Sequence, residues 1–386
     1  MISKRAQRIA PSATLAVGAK ALEMKKQGID VVSFGAGEPD FDTPEHIKKA
    51  AIAALAAGFT KYTPSSGIAE LKEAVCRKFK EDNGLVYGPE QVMVSNGAKQ
   101  CIYNMLQVLI DPGDEVLVPV PYWVSYEEMV KLADGKSVFI SPQKGLKIDA
   151  KQIEKHATRK TKALILNSPA NPTGMVYDKK ELEAIADICI KKRIYVISDE
   201  VYEKLIYGKK HVSIASLGQK IKDLTITVSG VSKTYSMTGW RIGYCAGPEE
   251  IIQAAGRIQD HTTANPNSIA QKAAIVALSG PQKNIPLWKK EYVKRRDYMV
   301  KRLSKMPGIS FQTPEAGFFI FANVSKLYKD SIKDSLTFCD TLLNKAHVAV
   351  VPGVAFGDDR YIRLSFATSM EQIKRGLDRI GAFVST

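Results

Sequence analysis

At 386 residues, with 45% hydrophobic and 25% charged residues, the chain is long enough to bury a large core and to divide into two units. Lys and Arg number 55 against 40 Asp and Glu, for a formal charge of +15, but the basic residues are dispersed. The densest run (Lys289, Lys290, Lys294, Arg295, Arg296) is interleaved with apolar residues as on a solvated helix face, without an aromatic-basic groove, so neither nucleic acid nor membrane is expected as a partner.

Small anionic substrates would account for part of the excess charge. The five cysteines are scattered without a CxxC pair and the five histidines are dispersed, so reduced thiols, no metal site and a cytoplasmic setting are expected. The first 22 residues contain no acid, as in a transit peptide, but no apolar h-region follows and no run of 18 apolar residues occurs.

The first 45 residues end in a Gly/Pro-rich turn, Gly35-Ala-Gly-Glu-Pro-Asp-Phe41, and are expected to pack with a smaller C-terminal unit. Residues 46–290 carry short β-branched runs alternating with amphipathic stretches, the pattern of a parallel sheet covered by helices. Seven strands are expected: Gln91 to Ser95, Glu115 to Val120, Ser137 to Ile140, Ala163 to Asn167, Ile194 to Ser198, Thr225 to Val228 and Ile242 to Ala246. Residues 291–386 read as a smaller α+β domain with a long basic helix, strands at Phe318 to Ala322 and Val348 to Val351, and a helix after Ser369.

Four polar segments fall at the carboxyl ends of these strands, where open α/β sheets bind ligands. Ser95-Asn-Gly-Ala-Lys-Gln100 is a strand-Gly-helix turn, either a tight connection or a phosphate site; it lacks the GxxxxGK[ST] pattern. Asn167-Ser-Pro-Ala-Asn-Pro-Thr-Gly174 is a cluster of turn formers that also holds Asn171 rigidly. Asp199 ends an apolar strand, where a carboxylate is costly unless it meets a cation or a proton donor; a paired structural aspartate and a magnesium-binding Asp-Glu pair are both open readings. Lys233 and Arg241 lie in Ser229-Gly-Val-Ser-Lys-Thr-Tyr-Ser-Met-Thr-Gly-Trp-Arg-Ile-Gly243, where a lone lysine would ordinarily be solvated surface.

Together with Arg363 in Tyr361-Ile-Arg-Leu-Ser-Phe-Ala-Thr368, these segments resemble the class I and II aminotransferases of pyridoxal phosphate (PLP) fold type I, in particular the bacterial aspartate aminotransferase branch. The resemblance spans nearly the whole chain. It implies an α/β large domain with a mostly parallel seven-stranded sheet plus a smaller α+β domain. It further implies that Lys233 carries PLP as a Schiff base and moves the proton, and that Asp199 pairs with the pyridinium nitrogen. Asn171 and Tyr202 would bond the 3′ oxygen, and Trp123 would stack on the ring. Ala98 and Lys99 would offer backbone N–H groups to the phosphate, with Arg241 neutralising it and Tyr62 reaching over from a second subunit of a homodimer. Arg363 would grip the substrate α-carboxylate, with Gly37 allowing close approach.

Two departures from the animal and enteric relatives stand out. A phosphate-binding serine of those enzymes is replaced by Gly230, and the partner-supplied arginine for the distal carboxylate has no match; Lys99 stands where the bacterial branch has a lysine for that part, with Ser12 and Thr14 able to assist. A basic residue that some prephenate-using relatives carry before this segment is Ala10 here. The resemblance implies ping-pong transamination between L-aspartate and 2-oxoglutarate through pyridoxamine phosphate. Alternatives are an aminotransferase for aromatic amino acids, alanine or prephenate, a fold-type I lyase, and a non-catalytic PLP-binding regulator. No helix-turn-helix pattern precedes residue 30 to favour the regulator.

Overall fold

The computed structural model describes residues 2–385; the side chains of residues 13–15 lie outside the description. Its strands, in chain order, are β1 (Val32–Ser33), β2 (Val92–Ser95), β3 (Glu115–Pro119), β4 (Lys136–Ile140), β5 (Thr161–Asn167), β6 (Tyr195–Asp199), β7 (Thr225–Gly230), β8 (Gly243–Ala246), β9 (Ser310–Phe311), β10 (Phe319–Asn323), β11 (Val348–Ala349), β12 (Val351–Pro352) and β13 (Tyr361–Ser365).

All seven expected strands of the middle region form one sheet, in the order β2-β8-β7-β6-β5-β3-β4. Strands β3 to β7 run parallel, while β8 is antiparallel to both β2 and β7. Apart from the edge strand β4, which is largely exposed or half-buried, they are almost continuously buried, with β7 buried at every position, because helices cover both faces. One apolar cluster packs helix Ala98–Leu109 and helix Ser125–Leu132 against one face, and a second packs helix Lys179–Lys192 against the other.

The C-terminal region forms a four-stranded antiparallel sheet, β12-β13-β10-β9, backed by helices Asn284–Leu303, Ser335–Ala346 and Met370–Val384. The stretch expected as a single strand at Val348 to Val351 is divided. Val348 pairs in parallel with Val32, whereas Val351 pairs antiparallel with Arg363, so the chain changes sheets at Val350. Val32 and Phe34 enter the same apolar core as residues of this region, and Tyr202, Leu205 and Tyr207 extend into it from the turn after β6. Among the described residues no helix is long and apolar enough to cross a membrane.

This topology sets the site. Strands β5, β6 and β7 end side by side, with Asn167 in register with Asp199 and Asp199 with Val228. The C-terminal sheet then brings Arg363 of β13 against the same edge.

Candidate active site

A cavity of about 650 Å³ opens at that edge, lined among others by Gly37, Ala98, Lys99, Trp123, Asn171, Asp199, Tyr202, Lys233, Arg241 and Arg363. Ten of the residues singled out in the sequence thus converge on one space. Tyr62 does not: it is 93% exposed, on a loop away from the cavity.

At the β2 end, Ser95 leads through Gly97 into helix Ala98–Leu109, whose start has no side-chain cap. Gly97 has φ +89°, and a Cβ there would collide with the Arg241 guanidinium; a Cβ on Gly243 would collide with the Ala98 amide. The register of Ser95 with Gly243 across β2 and β8 produces this closeness. Arg241, itself at φ +56°, is held by bonds from Nη1 to the Thr238 carbonyl at 2.8 Å and from Nη2 to the Asn96 carbonyl at 3.1 Å. Uncapped helix N–H groups beside a fixed guanidinium form an anion site.

Asp199 at the end of β6 is buried, and its carboxylate accepts a hydrogen bond from the Tyr126 hydroxyl. Burial raises its pKa to about 6, against the lowering effect of Tyr126. Sequence reasoning missed Tyr126. It lies three residues after Trp123, and the two rings meet edge-on with centroids 5.4 Å apart; that spacing on a helix start was the available signal.

Lys233 follows β7 on the short helix Val231–Thr234, and its Nζ donates to the Gly37 carbonyl at 2.6 Å. Its pKa falls to about 8, first through burial and further through Arg363 and Arg241, with Glu38 opposing. Glu38, a lining residue that sequence reasoning also passed over, accepts from the Thr238 hydroxyl at 2.7 Å.

Arg363 is buried on β13. It donates from Nη1 to Asn171 Oδ1 and from Nη2 to the Gly35 carbonyl, each at 3.0 Å, while its Nε has no hydrogen-bond partner. Burial lowers its pKa to about 10. Asn171 is set by its own N–H donating to Asn167 Oδ1 at 2.8 Å, and Asn167 Nδ2 reaches the Asp199 carbonyl at 2.9 Å. Tyr202 is buried edge-on to Phe318 and Phe319, and burial raises its hydroxyl pKa.

Lys99 Nζ lies 4.9 Å from the Trp123 ring centroid, and burial, then Arg241, lowers its pKa. Across the cavity stand Gly18, Ala19 and Leu22 of helix Ala13–Lys26, a wall the sequence did not suggest. Ser12 precedes that helix and does not line the cavity, and the Thr14 side chain lies outside the described residues. Ala10 offers its backbone N–H to Glu128 Oε2 at 3.0 Å.

The site therefore presents an anion cradle, a buried carboxylate with a raised pKa, an amine with a lowered one, and a guanidinium with an unused donor. These groups suit a ligand with an anionic group for the cradle and a cationic or proton-donating group for the carboxylate.

Comparison with known proteins agrees. The family model for aminotransferase class I and II matches residues 29–380. An aspartate aminotransferase from Bacillus subtilis is 46% identical, covering 99% of this chain and 98% of its own, and an aspartate/prephenate aminotransferase from Nitrosomonas europaea is 45% identical over the full length of both. Among solved structures, aspartate aminotransferase from Rhizobium meliloti superimposes with a TM-score of 0.96 at 40% identity, covering 100% of this chain and 99% of its own. The Thermus thermophilus enzyme with maleate gives 0.94 at 43% identity, covering 99% of each chain. The chain is an α/β enzyme of the fold these proteins share, and it belongs to the class I and II aminotransferases.

Proposed function

We propose that this chain is a PLP-dependent aspartate aminotransferase, exchanging the amino group of L-aspartate with 2-oxoglutarate. The observation that carries the reading is the convergence of Lys233, Asp199, the Gly97–Arg241 cradle and Arg363 on one cavity.

The cradle fits the phosphate, Asp199 the ring nitrogen, Asn171 and Tyr202 the 3′ oxygen, and Trp123 the ring face. PLP, when bound, supplies an electron sink for charge developing at the substrate α-carbon. Lys233 Nζ, with its pKa near 8, is neutral in a useful fraction of molecules near neutral pH and takes and returns the α-proton. Asp199, ionised above about pH 6 and buried with no cation of its own, favours a protonated ring nitrogen. Arg363 lines the cavity and pairs with the substrate α-carboxylate, with Asn171 and the Gly35 carbonyl fixing the plane of its guanidinium. Gly37 keeps that approach open, and Lys99, across from the apolar helix wall, takes the distal carboxylate of a dicarboxylic substrate.

Several relatives are named aspartate/prephenate aminotransferases. Ala10 offers no basic side chain for that acceptor, and aspartate with 2-oxoglutarate is the pair we assign. We also propose a homodimer in which Tyr62 of each subunit completes the other's phosphate site, since Tyr62 is exposed and cannot serve its own. The division at residues 45 and 290 is proposed on the same footing, supported by the pairing of Val32 with Val348; helix Asn284–Leu303 crosses the second position.

The test is a half-reaction screen, in which PLP-loaded protein is mixed with single amino acids and amination of the cofactor is read from its absorbance. Aspartate and glutamate are expected to react, and failure of both would overturn the assignment. Lys99→Ala should raise KM for aspartate by at least about tenfold, a charged hydrogen bond being worth ~1.5–3 kcal/mol, with little change for alanine. Equal losses on both substrates would show that Lys99 serves the cofactor alone.

A further inference from the structure

Strand β2, which leads into the phosphate turn, lies at an edge of the seven-stranded sheet. Its outer side is covered by the loop that carries Tyr62. The Val94 N–H donates to the Ser66 carbonyl at 2.9 Å, and a Cβ on Gly67, at φ +100°, would lie only 2.7 Å from Val94 Cγ2. Loop and strand are therefore in direct contact.

Gln259, on helix Glu249–Asp260 and fully buried, fills the junction. Its Nε2 donates to the Ser65 carbonyl at 2.6 Å and to the Val94 carbonyl at 2.8 Å. Its Oε1 accepts from Ser95 Oγ at 2.6 Å and from Asn104 Nδ2 at 2.9 Å. The two carbonyls can only accept, so they fix which end of the amide is nitrogen. All four hydrogen-bonding positions of one carboxamide are used, two of them on the strand and turn that build the anion cradle and one on the Tyr62 loop.

A second buried carboxamide holds the loop alone. Gln271 Oε1 accepts from the Ile68 N–H at 2.9 Å, and its Nε2 donates to Thr63 Oγ1 at 3.0 Å and to the Pro266 carbonyl at 2.9 Å. It makes no bond to β2 or the phosphate turn.

We infer that Gln259 is a positioning residue that ties the phosphate turn of its own subunit's site to the loop carrying Tyr62 toward the other subunit's site, linking the two sites of a dimer. This rests on the proposed sharing of Tyr62. A fully bonded amide in a dry interior has one arrangement, so displacement of either end strains the other.

Hybrid dimers test it. One subunit carries Lys233→Ala, so the lysine-dependent PLP absorbance reports the other subunit's site alone, and PLP affinity is titrated there on the apo-hybrid. Adding Gln259→Leu to the Lys233→Ala subunit should weaken PLP binding at the reporting site about tenfold, the worth of one hydrogen bond. Placed instead in the reporting subunit, Gln259→Leu should weaken that site too, whereas Gln271→Leu should weaken binding only from the Lys233→Ala subunit. Amide exchange of residues 63–68 in the apo-dimer should quicken for both.

Tyr62→Ala in the Lys233→Ala subunit separates the two layers of the argument. If it weakens the reporting site and Gln259→Leu from the same side does not, the linkage is overturned and the shared site stands. If neither does, the shared site fails and the linkage with it. Equal behaviour of the Gln259 and Gln271 variants in both placements also overturns the linkage. Should Gln259→Leu fail to fold, Gln259→Glu keeps the oxygen for Ser95 and Asn104 but sets an oxygen against the Ser65 and Val94 carbonyls, with the same expected directions.

Discussion

Asp199 and Glu203 stand four residues apart on one turn, both buried, and their environments push their acidities in opposite directions. Burial raises Asp199 to about 6. Burial would raise Glu203 as well, but Lys78, His211 and Asn83 outweigh it and bring its pKa down to about 2. Asp199 faces the cavity with a tyrosine hydroxyl as its close partner. Glu203 faces the opposite way, into a closed cluster. There it pairs with Lys78, accepts from Ser229 Oγ at 2.9 Å and Asn83 Nδ2 at 2.8 Å, and neighbours Glu200, which takes Ser198 and Ser213 hydroxyls and His211 Nε2 at 2.7 Å each.

The difference separates scaffold from site. Carboxylates whose bonding capacity is met inside the protein hold the chain in place, whereas one left wanting a cation is held ready for a ligand. Glu200, Glu203 and His211 lie close enough to suggest a metal site, with one ligand atom from each within 4.8 Å of the others. The Lys78 ammonium already serves as the cation for Glu203 and donates to Asn83, and His211 pairs with Glu200, so the cluster reads as an ion-pair network.

The sharpest way to break the contrast is Asp199→Asn. Activity of the loaded enzyme should fall by about 10³-fold or more, as for other preorganised charges at reacting centres. The apo-protein should behave in the opposite sense. A carboxyl raised from 3.8 to about 6 destabilises the fold in its ionised form, an effect absent below about pH 4, growing through pH 6 and complete above it. Denaturant unfolding of apo Asp199→Asn at pH 8 should show a gain of up to about 3 kcal/mol over the parent. A loss of stability there would mean that Asp199 is a satisfied structural residue like Glu203.

Glu203→Gln probes the other side. It leaves Lys78 buried without its carboxylate, and unfolding should show a loss of about 3–5 kcal/mol near neutral pH. A carboxyl lowered from 4.5 to about 2 stabilises the fold fully above about pH 4.5 and loses that stabilisation as pH falls toward 2. The variant should therefore lack the acid limb of the stability profile, while Asp199→Asn lacks the decline between pH 4 and 6. Unchanged acid limbs in Glu203→Gln would remove the cluster from the account of stability.

How much of this was legible in the sequence follows from distance along the chain. The strand ends carrying Asn171, Asp199 and Lys233 were readable because each motif is contiguous with an apolar run of strand length. The antiparallel sense of β8 was not, because a buried run has no periodicity that records direction. Val348 to Val351 reads as one strand because its residues are all apolar, and only the partners Val32 and Arg363 divide it. The cluster of Lys78, Asn83, Glu200, Glu203, His211 and Ser229 spans 152 positions of the chain. None of its members is unusual locally, so only the fold assembles it. Gln259 is hidden for the same reason, as an ordinary polar residue on an amphipathic helix.

The smallest effect belongs to His211, at the rim of the closed cluster. Burial lowers its pKa, but the Glu200 carboxylate at 2.7 Å outweighs this and the net direction is up, with Glu203 adding to the rise and Lys78 opposing it. Its Nδ1 is buried without a partner, so the pair with Glu200 is the one polar contact that holds the ring. A raised histidine stabilises the fold fully below its unfolded value near 6.5, and that contribution fades as pH rises through the folded pKa. His211→Gln retains a donor for Glu200 but carries no charge. It should remove the decline on the alkaline side of the stability profile and shrink, without abolishing, the acid limb of Glu203, which keeps Lys78 and Asn83. A parent profile without that alkaline decline would show that His211 is neutral in the folded protein.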